Sequence, residues 1–216
     1  MSQTVLLLLL FLLSSLSPLS FSDPDPVLDF CIPDAGRGPI QLTHLPTYPC
    51  KNPLNVTSHD FTFSNLKPPS HLSGFAGTAV TPVQFPALHT LGASFARADF
   101  EPGAVNPPHY HPRATETALV VEGAVYSGFV DSGGRVYAKV IEKGDVMVFP
   151  RGMVHFQMNA GEERASIFAS FNGENPGVVK LPVTVFGSGI MEELLEKAFD
   201  LSEREVERLK KIFGSK

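Results

Sequence analysis

Tryptophan is absent from this 216-residue chain, and cysteine occurs only twice. The aromatic content therefore rests on 17 Phe and 4 Tyr, which with a hydrophobic share of 43% is enough for one well-packed domain. Two cysteines allow at most one bridge within the chain. Positive charge is also scarce, with 17 Lys and Arg against 22 Asp and Glu and a net charge of −5. The basic residues are scattered, so the electrostatic footprint of a nucleic-acid binder is missing. Long apolar runs are rarer still: Val5 to Leu13 is unbroken, but a membrane-spanning helix needs roughly 20 such residues.

That run is followed by a Ser/Pro-rich stretch with small residues at Ser20 and Ser22. Residues 1–22 read as a secretory signal cleaved after Ser22, although no Lys or Arg precedes the apolar core. The mature chain is expected to be soluble and extracellular, with no membrane contact. In an oxidising compartment Cys31 and Cys50 can pair and close a loop; two free thiols are the alternative. Asn55-Val-Thr57 is an N-glycosylation sequon just beyond that loop.

Three texts follow one another along the mature chain. Residues 23–73 are rich in Pro, Asn, Ser and Thr with little periodicity, and predict an irregular arm. Residues 74–187 carry short β-branched and aromatic runs: "GASFARADF", "ETALVVEGAVYSGFV", "RVYAKVI", "DVMVF", "ASIFASF" and "VVKLPVTVF". Turn residues in "DSGG" and "EKGD" separate them, which predicts an all-β barrel or jelly roll of antiparallel strands. In residues 188–216 the period lengthens, with Ile190, Leu194, Leu195 and Ala198 on one face and Val206, Leu209 and Phe213 on another. Ser202 and Glu205 mark a capping box between them, so a hairpin of two amphipathic helices is expected. Its apolar faces bury against their own barrel or against a neighbouring subunit.

Within the β region, "PPHYHPRATE" places His109 and His111 two residues apart. Such residues share one face of a strand, and the flanking prolines stiffen the backbone and remove ladder donors. Glu116 can bring a carboxylate to the same point, and His155 in "PRGMVHFQMN" is the candidate fourth ligand. Three imidazoles and one carboxylate suit a divalent first-row metal, and a six-coordinate ion would keep two positions open. His44, His59, His71 and His89 lack such spacing and are assigned structural or surface roles.

The order Gly103, five residues, His109-Tyr-His111, four residues, Glu116, six residues, Gly123 resembles the first cupin motif. Gly144, Pro150, Gly152, His155 and Asn159 match the second in order and spacing. With "DPDPVLDFC", "NPPHYHPRATE", "KGDVMVFPRGMVHFQ" and "SFNGENPG", the whole mature chain resembles the plant germin-like proteins. The resemblance implies a secreted cupin jelly-roll barrel of the apoplast, binding Mn2+ through His109, His111, Glu116 and His155. It also implies a Cys31–Cys50 disulfide, a glycan, and C-terminal helices that clasp neighbouring subunits in a homohexamer built as a trimer of dimers.

Superoxide dismutase activity, with a role in defence or cell-wall processes, follows as the first expectation from the resemblance, a small anion or dioxygen species being the substrate. Oxalate oxidase activity is not expected. Of the two asparagines that position oxalate in that pattern, Asn106 is present as a catalytic residue, but the other position holds Ala96. The reading from another class is a cell-wall or receptor-type binding protein whose metal is mainly structural and whose barrel mouth or glycan is the recognition surface, with cell-wall components as partners.

Overall fold

In the computed structural model, residues 28–37, 40–42, 45–47 and 49–214 are described. The expected signal, residues 1–22, lies outside them. A short hairpin, β1 (Ile40–Leu42) and β2 (Leu45–Thr47), and three single 3-10 turns make up the structured part of the arm. The Cys31–Cys50 disulfide closes it with Cα atoms 5.0 Å apart, and a backbone bridge joins Pro33 to Cys50. Asn55 is exposed at the end of the turn Pro53–Asn55.

Ten strands then form two antiparallel five-stranded sheets that face each other. They are β3 (Phe75–Val80), β4 (Ser94–Phe100), β5 (Val105–Tyr110), β6 (Glu116–Glu122), β7 (Ala124–Val130), β8 (Val136–Glu142), β9 (Val146–Phe149), β10 (Val154–Asn159), β11 (Ala165–Phe171) and β12 (Val179–Lys180). One sheet runs β3-β4-β11-β6-β9 and the other β12-β5-β10-β7-β8. Non-sequential neighbours in both sheets are the mark of a jelly roll. The core lies between them, where Phe100, Val120 and Ile167 of the first sheet meet Val125 and Ile141 of the second. Burial of alternate residues drives this, since period-two strands offer one apolar face each.

Two local features correct the strand reading. "ETALVVEGAVYSGFV" reads as one run, yet the chain changes sheets at Gly123, which has φ +76°. A Cβ there would sit 2.7 Å from the Arg164 carbonyl oxygen, so the crossing requires glycine. "VVKLPVTVF" keeps only β12 as strand. Leu181–Phe186 is a helix, α1, because Pro182 in its first turn favours helix initiation and cannot serve a ladder.

The expected helices follow as α2 (Glu192–Phe199) and α3 (Glu203–Phe213), so the C-terminal part holds three helices. The Ser202–Glu205 capping box is formed, with Glu205 Oε2 accepting from the Ser202 backbone N–H at 2.8 Å. Phe186 of α1 packs against Phe199 and Phe213, tying the three together. Among the described residues no helix is long and apolar enough to cross a membrane.

Candidate metal centre

His109 and His155 face each other across β5 and β10, paired in register with ring centroids 4.2 Å apart. His111 lies just beyond the end of β5, and Glu116 opens β6 in the opposite sheet. All four side chains are buried, and one ligand-type atom of each lies within 4.8 Å of the others. The structure thus brings together His109, His111, Glu116 and His155 from both sheets.

The backbone sets the orientation of each ring. His109 Nδ1 donates to the Pro107 carbonyl and His155 Nδ1 to the Met153 carbonyl, both at 2.8 Å. His111 Nδ1 donates to the Gly177 carbonyl. A carbonyl oxygen can only accept, so the proton sits on Nδ1, and the Nε2 lone pair of each neutral ring is free to ligate. This is the arrangement that outer hydrogen bonds impose on metal-binding histidines.

Glu116 Oε2 lies 3.1 Å from His111 Nε2 and 3.2 Å from His155 Nε2. Burial opposes ionisation of Glu116, but hydrogen bonds and charge from His111 and His155 outweigh it and hold its pKa at about 2. Burial, and then the charge of His155, push His109 down to about 4 against the pull of the Pro107 carbonyl and Glu116. Without a cation, a proton on a ring Nε2 bridges to the carboxylate. With the rings in the Nδ1–H tautomer alone, Nε2 lone pairs would face the carboxylate oxygens, acceptor against acceptor, and a cation must take the proton's place. A divalent cation fits this donor set of three nitrogens and one oxygen.

Asn106 reaches the same place by an irregularity in β5. His155 pairs with His109, but Gln157 pairs with Asn106, so β5 spends one residue more than β10 over this interval. The bulge falls at Pro107 and Pro108, which have no N–H to give the ladder. Strict alternation would send Asn106 and His109 to opposite faces; the extra residue turns both toward the cavity, which they line together. Asn106 Nδ2 donates to Gln157 Oε1 at 2.7 Å.

Several functional neighbours lay outside the sequence reading. Gln157 is buried beside Asn106, and its position two residues after His155 on the same strand face was the available signal. Phe149 stacks on His155 at 4.5 Å, and Phe171 packs against His111 at 4.7 Å. The loop "NGENPG" after β11 is clamped over the site. Arg113 Nη2 donates to Asn175 Oδ1 at 2.7 Å and the Thr115 N–H to Asn172 Oδ1 at 2.8 Å. That clamp presents the Gly177 carbonyl to His111.

A cavity of about 380 Å³ opens above the cluster, lined by Asn106, Gln157 and Ala96 among others. Of the remaining histidines, His59 and His71 are exposed and His89 lies 3.5 Å from Glu174; His44 falls outside the described residues.

A family model described as "Cupin" matches residues 64–207. The chain is 60% identical to "Germin-like protein 2-4" of Oryza sativa subsp. japonica, over 98% of this chain and 94% of the relative. It is 55% identical to "Germin-like protein subfamily 3 member 2" of Arabidopsis thaliana, over 94% of each. A solved "Recombinant oxalate oxidase in complex with glycolate" superposes with a TM-score of 0.80 at 38% identity, over 89% of this chain and 98% of that one. Fold, site geometry and relatives agree: the chain belongs to the cupin family and, within it, to the germin-like proteins.

Proposed function

We propose that this is a secreted manganese protein of the plant apoplast, in which His109, His111, Glu116 and His155 ligate one Mn2+ and the site dismutes superoxide. The observation that supports this most directly is the convergence of three backbone-oriented imidazoles on one ionised carboxylate beneath a cavity. When bound, manganese supplies a one-electron redox couple. The chain's own contribution is to keep the rings deprotonated at Nε2, to offer the Asn106 and Gln157 amides to a small anion, and to shield the cluster with Phe149 and Phe171. The net change is that two superoxide ions and two protons become dioxygen and hydrogen peroxide.

Oxalate oxidation is not part of this reading. The Ala96 methyl lining the cavity cannot donate to a carboxylate. A missing hydrogen bond to a charged group costs about 1.5–3 kcal/mol, or roughly one to two orders of magnitude in rate. The disulfide supports an extracellular destination. A glycan on exposed Asn55, assembly into hexamers, and a place in defence or cell-wall processes complete the proposal.

Protein from a plant-type secretory host is expected to carry near one manganese per chain and to consume superoxide, and His155→Ala to lose both. Absence of metal, or an undiminished rate in the variant, would overturn the reading. Metal retained without superoxide consumption would favour the binding-protein alternative. On the same preparation peroxide release from oxalate should be negligible, and Ala96→Asn should raise it.

A further inference from the structure

Four positions in register across one sheet are alanine. Ala79, Ala96, Ala169 and Ala118 pair in succession from β3 through β4 and β11 to β6. Ala79, Ala96 and Ala169 line the 380 Å³ cavity, with Phe75 and Phe171 beside them and His109, His111 and Glu116 at its polar end. That volume falls within the roughly 300–1,000 Å³ of small-molecule sites. It is far more room than superoxide or a two-carbon dianion fills. At the polar end Gln157 is 2% exposed, its Oε1 accepts from Asn106, and its Nε2 meets no acceptor among the described residues. Gln157 lines the cavity, so this amide N–H is accessible from it and can donate to a ligand oxygen there.

We propose that this site binds a monocarboxylate with an apolar body, aryl or branched alkyl. Its carboxylate lies at the histidine and amide end, and its hydrocarbon runs along Ala79, Ala96 and Ala169. The inference rests on the metal reading above, because a divalent ion supplies the main positive charge that the carboxylate meets. A body that buries apolar area against methyl groups gains affinity in proportion to that area. A second carboxylate against those methyls would lose its hydration with no donor among the alanines. Lys180, which also lines the cavity and pairs in register with His109, is the ammonium that would have to offset this.

Isothermal titration calorimetry of the manganese-loaded protein with 3-phenylpropanoate, acetate and oxalate tests this. The aryl acid is expected to bind at least tenfold more tightly than acetate and than oxalate. Ala96→Phe is expected to bring the affinities for the aryl acid and acetate together. Ala79→Phe, on the exposed edge strand β3, should do the same if Ala96→Phe fails to fold. Equal affinities for the two monocarboxylates in the unaltered protein would overturn the proposal, as would a preference that survives in a folded variant. Metal content measured on the same sample separates the two readings: bound metal without preference defeats only the ligand class, whereas absence of metal defeats the functional reading and this inference with it.

Discussion

His109 carries the clearest pH signature of any residue in the site. Its pKa of about 4, against an ordinary 6.5, means that the folded metal-free chain keeps it neutral where an unfolded chain would protonate it. The unfolded state then binds more protons, so stability falls as pH drops through that window. Glu116, held at about 2 against an ordinary 4.5, extends the loss to lower pH in the same direction. Thermal melts of metal-free protein are therefore expected to weaken progressively from about pH 6.5 downward, and His109→Gln to flatten the upper part of that decline. A bound metal requires the same deprotonated ligands, so acid should release it across the same range. The identity and spacing of these residues are plain in the sequence, whereas the carbonyls that orient their rings are not: Gly177 lies 66 residues from His111.

Elements determine whether such residues meet in usable geometry. The clamp formed by Arg113, Asn172 and Asn175 holds the loop whose Gly177 carbonyl fixes the His111 ring. Gly177 has φ +65°, and a Cβ would lie 2.8 Å from Arg113 Nη2, so Gly177→Ala strains the backbone and pushes on the clamp at once. The variant is expected to fold with a melting temperature lowered by several degrees and to hold metal about tenfold more weakly in chelator competition. Unchanged metal affinity would show that the loop does not govern His111. The strands of the barrel were legible from alternation. The bulge at Pro107 and Pro108 was not, because parity of facing depends on the partner strand's residue count as well as on β5. The α1 segment escaped for a related reason: Val and Thr favour strands, but packing of Phe186 among the other helices outweighs that weak preference.

On the scale of the whole molecule, exposed apolar side chains gather on one sheet and on the C-terminal helices of the described residues. Val105, Met158, Tyr126 and Val140 align in register across four strands, and all are exposed. Leu194, Phe199 and Ile212 are exposed on the C-terminal helices, although Leu195 and Val206 are buried within the chain. Surfaces of this kind are normally covered by another protein surface, which supports the proposed assembly of copies. Light scattering should give a mass several times that of the chain, and Leu194→Glu combined with Val140→Glu should reduce it. A monomeric unaltered protein would remove that part of the proposal. Alternation, turn residues and motif spacing determined by themselves that this chain would build antiparallel strands and carry three histidines and a glutamate at ligand spacing, because those signals act over a few neighbouring residues. Only the tertiary structure decided that Glu116 crosses from the opposite sheet to meet the histidines, that Asn106 turns inward, and that a row of alanines leaves a cavity above them. Each of these depends on strand order and register between segments far apart in the chain, where no local preference acts.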